Sequence, residues 1–229
     1  MKKLSVTNTH REKLWGWIYL PIQLLILPIV LTVCNLFFNL NLSDAALNFM
    51  LFCINFCVVA LIFHRFILEN GKIALKKPLA VIGTALACFV FYIVSSSIIT
   101  TMITYIDPDF FNVNDAYITT MVEEEFLSMF IGTAILVPLT EEVLYRGLLF
   151  AGLYNRNRIL GYLVSTLFFA FIHVFGYIGS YSALQLGLCL LQYLPAGICL
   201  GWAYASTDSI WTPIITHMII NTLAVLTMR

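Results

Sequence analysis

Long apolar runs separated by short polar ones set the pattern of this chain. Seven stretches reach membrane length, roughly 14–38, 45–68, 79–106, 126–153, 159–178, 182–206 and 209–227. A hydrocarbon core of about 30 Å requires about 20 mostly apolar helical residues, and a helix satisfies its own backbone polar groups inside lipid. The expected fold is therefore all-α: a polytopic transmembrane bundle of about seven spans. No internal repeat or low-complexity tract interrupts it. Residues 1–125 contribute three spans, and residues 126–229 contribute four that carry the chemistry described below.

Composition narrows the choice further. Hydrophobic residues make up 61% of the 229 positions and charged residues 10%, where a soluble domain has about 45–50% and about 25%. So few charges cannot cover a water-facing surface, which excludes a soluble enzyme, a nucleic-acid binder, a disordered regulator and a secreted disulfide scaffold. The surrounding partner is membrane lipid. Cys34, Cys53, Cys57, Cys88, Cys189 and Cys199 all lie inside apolar runs, where free cysteine acts as a small buried hydrophobe.

Charge distribution gives direction, because loops rich in Lys and Arg stay cytoplasmic. Lys2, Lys3, Arg11 and Lys13 precede the first span; Arg65, Lys72, Lys76 and Lys77 follow the second; Arg156 and Arg158 follow the fourth. The opposite loops lack Lys and Arg, and the longest, 107–125, is acidic. The N-terminus is thus expected in the cytoplasm. The first run is too long for a cleaved signal and is read as an uncleaved span. The stretch His64–Lys77 fits either a loop or an interfacial helix.

Charged groups inside a transmembrane helix cost about 2.5–3.5 kcal/mol each on insertion scales and usually mark function. The first three spans have almost none in their interiors, whereas the last four hold Glu141, Glu142, Arg146, His173 and His217, with Asn221 as a polar companion. Glu142 and Arg146 are four apart and can pair on one helix face. Glu141 is turned about 100° away, so the two carboxylates face different neighbours. Pro138, just before them, can kink the helix or free a carbonyl. His217 and Asn221 stand one turn apart. Counted from the cytoplasmic helix ends, Glu141 lies roughly 18 Å deep, His173 roughly 21 Å, and His217 to Asn221 about 10–18 Å. Three helices therefore bring polar groups to overlapping depths.

A carboxylate and an imidazole sharing a water make a general-base site, and neutral donors aimed at a carbonyl oxygen supply oxyanion stabilisation. These parts suit amide hydrolysis inside the membrane. A structural ion-pair cluster for Glu142 and Arg146, and helix-packing roles for the histidines, are the plainer alternatives. There is no glycine-rich phosphate loop, serine nucleophile motif or HExxH.

The series EExxxR (Glu141, Glu142, Arg146), FxxxH (Phe169, His173) and HxxxN (His217, Asn221) resembles the motif set of the CAAX protease and bacteriocin-processing (Abi) family of intramembrane endopeptidases. That family includes the type II CAAX prenyl endopeptidases. The resemblance covers about 126–221. It implies that Glu141 with His173 activates the attacking water, that His217 and Asn221 form the oxyanion site, and that Glu142, Arg146 and Phe169 support them. It further implies a membrane-associated peptide or protein substrate, and a role in peptide-precursor processing or bacteriocin immunity. No cofactor is expected. The alternative is a Zn²⁺ on Glu141, His173 and His217 with water as fourth ligand. A non-catalytic scaffold binding a sensor kinase or bacteriocin receptor, and a proton-relay transporter, are the readings of other classes. Charge and depth point to access from the side or from the cytoplasmic face.

Overall fold

Polar residues at the ends of the apolar runs decide where each helix begins. In the computed structural model, which describes residues 3–229, Thr9 caps the first helix with a reciprocal pair of bonds: its hydroxyl accepts from the Glu12 N–H, and the Glu12 carboxylate accepts from the Thr9 N–H. Ser43, Asn112, Asn157 and Ser182 cap four later helices with their own side chains, satisfying N–H groups that have no partner within the helix. Nine helices result among the described residues: α1 His10–Phe37, α2 Asp44–Ile62, α3 His64–Lys76, α4 Pro78–Ile106, α5 Val113–Glu124, α6 Phe126–Tyr154, α7 Arg158–Phe175, α8 Ala183–Thr207 and α9 Trp211–Thr227. The molecule is a polytopic helical bundle with no strand among those residues.

Six of the helices (α1, α2, α4, α6, α7 and α8) are long and apolar enough to cross a bilayer. The seventh apolar run forms α9, shorter at 17 residues. It starts at Trp211 because Asp208, in the left-handed region at φ 54°, ends α8. Two elements depart from expectation. The run expected as one span over 45–68 breaks at Phe63 (φ −105°, ψ 17°), whose buried ring packs where a Cβ on Gly16 of α1 would sit. The helix beyond the break, α3, takes the helical alternative to a loop. The acidic loop 107–125 folds in its second half into α5, started by the Asn112 side chain, whose Oδ1 accepts from the N–H groups of Asn114 and Asp115. The cysteine expectation is corrected at one pair. Cys88 of α4 and Cys199 of α8, both buried, are joined as a disulfide between neighbouring spans.

Hydrogen bonds show which loops share an end. The N-terminal segment reaches the 155–158 turn, α3 and the 208–210 turn, through Leu4 N–H to Asn155 Oδ1 (2.9 Å), Arg65 Nη2 to the Thr7 carbonyl (2.8 Å) and Ser5 N–H to Asp208 Oδ1 (2.8 Å). At the other end Ser43 Oγ donates to Glu125 Oε1 (2.7 Å) and Asn112 Nδ2 to Gln192 Oε1 (2.8 Å). Basic connections thus gather at one end and acidic ones at the other, as an odd number of crossings between the N-terminus and α5 requires.

Candidate active site

The local chemistry of α6 begins with its backbone. From Gly132 to Leu136 the helix widens to a π turn, so that the Val137 N–H reaches back five residues to the Gly132 carbonyl. The next residue, Pro138, has no N–H to give. The Thr133 carbonyl is left without a donor from its own helix, and Asn221 Nδ2 of α9 fills the vacancy at 2.8 Å. Pro138 therefore frees a carbonyl, and that carbonyl anchors the last motif residue. A second π stretch, Glu142–Phe150, follows closely; such widened turns recur at functional sites.

Within that stretch Glu142 and Arg146 are fully buried and paired, Arg146 Nη1 donating to Glu142 Oε1 at 3.1 Å. The same oxygen receives His217 Nδ1 at 2.9 Å. The guanidinium carbon stands 4.3 Å from the centroid of the Phe169 ring, which faces the cation where Nε and Nη2 have no hydrogen-bond partner. Glu142, Arg146, Phe169 and His217 thus form one buried unit tying α6, α7 and α9 together.

Glu141 points elsewhere. With Tyr145, His173, His217 and Asn221 it lines a cavity of about 830 Å³ whose remaining walls are mostly apolar side chains of α1, α2, α5 and α7. Its buried Oε2 has no partner. The 100° rotation between neighbouring carboxylates has separated them, Glu142 into a packed ion pair and Glu141 toward open space. The cavity runs from this mid-membrane floor past Asp115, Tyr117 and Tyr177. It extends toward the end opposite the basic loops, away from the cytoplasmic face, which leaves the side as the other expected route of access.

The imidazole partners fix where the protons sit. His173 Nδ1 lies 2.7 Å from the Phe169 carbonyl, which can only accept, so Nδ1 carries the hydrogen and Nε2 of the neutral ring carries the lone pair. His217 Nδ1 likewise donates to the Glu142 carboxylate. Its Nε2 becomes a donor only when the ring is protonated. Asn221 spends one amide hydrogen on Thr133 and keeps the other.

Two residues that sequence reasoning passed over stand beside the site, Tyr193 in the cavity wall and Gln23 behind Tyr145. Tyr193 of α8 stacks on the His173 ring, centroids 4.2 Å apart and planes within 28°. Its hydroxyl faces Asp115 Oδ1 at 3.0 Å and Asn112 Oδ1 at 3.2 Å, and accepts from Asn114 Nδ2 at 3.1 Å. Withdrawal from water against α8 pushes the Asp115 carboxyl above the usual carboxylate range, while the bonds from Tyr193 and Asn114 draw it part of the way back. Gln23 of α1 is buried with Nε2 3.5 Å from the Tyr145 hydroxyl. A lone glutamine between Pro21 and Pro28 was the available signal for the second; an aromatic in an apolar helix gave none for the first.

A zinc centre on Glu141, His173 and His217 would need the three to converge. Among the described residues no three His, Cys, Asp or Glu side chains stand at ligand spacing. In this arrangement the three side chains are not gathered at that spacing.

Fold and site together define a multi-pass helical membrane protein with a buried carboxylate–imidazole cavity. Residues 123–223 match the family model described as Type II CAAX prenyl endopeptidase Rce1-like. The chain is also similar to the Bacillus subtilis (strain 168) protein named "Putative membrane peptidase YdiL", at 31% identity over 99 residues. That alignment covers 43% of this chain and 36% of the relative, so the chain spans about a third of the protein it matches. Both matches bear out the family resemblance of the motif-bearing segment. No solved structure matches.

Proposed function

We propose that this protein is an intramembrane endopeptidase that hydrolyses a peptide bond of a membrane-associated peptide or protein. The observation that carries this reading is that Glu141, His173, His217 and Asn221, brought from α6, α7 and α9, line one cavity. A water between the Glu141 carboxylate and His173 Nε2 would lose its proton to this pair as it attacks the scissile carbonyl. The free amide hydrogen of Asn221 would meet the developing oxyanion. His217 would join it once protonated, with Glu142 stabilising the imidazolium. The proton is then returned to the leaving amine. The metal-free form of the reading follows from His217 and Asn221 as a donor pair, and the peptidase class is supported by the match to the Rce1-like model and to a relative named as a membrane peptidase. By the resemblance of its motifs the protein's role is peptide-precursor processing or bacteriocin immunity. The mostly apolar cavity walls favour an apolar segment around the cleaved bond.

The test uses purified protein in detergent or nanodiscs with a peptide library. Glu141→Gln and His173→Ala are expected to lower cleavage by about 10²–10⁴-fold, the usual worth of a general base, while the protein accumulates normally and chelators change nothing. Full cleavage by a folded Glu141→Gln variant removes the proposed base.

A further inference from the structure

A second cavity, remote from the catalytic one, lies at the basic end of the bundle between the N-terminal segment, α1 and the end of α6. Its volume is about 470 Å³, and Lys3, Lys13 and Arg156 line it without any acidic residue. None of these three side chains is held in an ion pair among the described residues. Three like charges around one hollow repel each other unless an anion sits between them. Asn8 lines the same cavity. Its Nδ2 donates to the Gly147 carbonyl at 2.8 Å, while its Oδ1, on a residue only 6% exposed, has no partner. That atom calls for a hydroxyl or amine donor, because a buried acceptor left unpaired costs about 1–3 kcal/mol. Trp17, half exposed, closes one side, and indole rings collect at the headgroup level of a bilayer. Leu148, Leu149 and Leu153 supply the apolar flank.

We propose that this cavity binds a phosphate-bearing anion, with Lys3, Lys13 and Arg156 on the phosphate and Asn8 Oδ1 on an adjacent hydroxyl. The headgroup of an anionic phospholipid in the leaflet at the basic end is the source that the indole and the leucines favour. Basic pockets between membrane helices hold such headgroups. The assignment does not depend on the proteolytic reading.

Gly152 lines the cavity, and a Cβ added there meets nothing within 4 Å. Gly152→Leu therefore fills the hollow without altering charge, and Lys13→Gln/Arg156→Gln removes charge without altering shape. Full-length protein is purified into nanodiscs of phosphatidylcholine alone or mixed with phosphatidylglycerol, and its thermal midpoint is followed. In parallel, detergent-solubilised protein receives glycerol 3-phosphate or inorganic phosphate. Phosphatidylglycerol is expected to raise the midpoint of the wild type by about 2–4 °C and to leave both variants unmoved. Equal shifts from the soluble phosphates identify a free phosphate as the source and overturn the lipid assignment. A shift that survives in both variants, or none with any probe, overturns the site.

Discussion

Glu142 and Arg146, set beside Glu141, illustrate how one residue type splits into two roles within a single turn of helix. Removing one partner of a fully buried pair leaves an uncompensated charge and costs about 3–5 kcal/mol. Arg146→Ala is thus expected to lower the thermal midpoint and the amount of folded protein, whereas Glu141→Gln leaves both near wild type; thermal melts of the two variants separate support from chemistry. Tyr193 supplies the complementary case. It clamps the His173 ring by stacking and is itself tethered to α5. Tyr193→Phe keeps the stack and should cost only a few-fold in kcat, while Tyr193→Leu frees the ring and should cost about 10²-fold, the scale of a 1 Å misplacement. In both variants KM should hold, and an unchanged kcat in Tyr193→Leu rules out the positioning role. The charged residues gathered around the cavity were legible in the sequence because ionisable groups stand out in apolar helices. Tyr193 was not, since an aromatic there reads as packing, and its tether to α5 joins residues some 80 positions apart.

Helices as units were set by hydropathy and caps, and most spans follow the apolar runs within a few residues. What the runs concealed were the short amphipathic pieces. Phe63 divides α2 from α3 although it is as apolar as the residues of α2 before it, and α5 hides in an acidic segment because its start depends on the Asn112 cap. The pairing of α8 with α7 had a signal that went unread: Gly197 and Gly201, four apart, form the small-residue face that lets membrane helices approach closely. A Cβ at Gly197 would meet Thr166 Cγ2 at 2.7 Å and its Cα at 3.0 Å, and one at Gly201 would meet Tyr162 and Phe150. Because the obstruction at Gly197 includes backbone, it cannot be relieved by a side-chain rotation. Gly197→Leu should destabilise the bundle by the roughly 1–3 kcal/mol typical of overpacking, or more, and should also weaken cleavage, since α7 carries His173 and α8 carries Tyr193. Thermal unfolding in detergent checks the first expectation. A variant as stable as wild type shows that the two helices do not pack through this face.

At the scale of the whole molecule, the disposition of charge and the direction of the cavity at Glu141 make one joint claim. The N-terminal segment, α3 and the 155–158 and 208–210 turns meet at one end, and their Lys and Arg residues place that end in the cytoplasm by the positive-inside rule. Asp115, Tyr117 and Tyr177, where the cavity at Glu141 reaches away from its floor, lie at the other end. The site would then take its substrate from the outer face or from the outer half of the bilayer, and a substrate held strictly in the cytoplasm could not reach it. Single cysteines decide the matter: Asp109→Cys in the acidic segment and Lys76→Cys at the end of α3, both at exposed positions. In intact cells a membrane-impermeant maleimide should label Asp109→Cys at once and Lys76→Cys only after permeabilisation. The native free cysteines, Cys34, Cys53, Cys57 and Cys189, lie within apolar helices and contribute little background. The reverse labelling pattern would turn the bundle over, place the cavity mouth in the cytoplasm, and move the basic phosphate site to the outer leaflet.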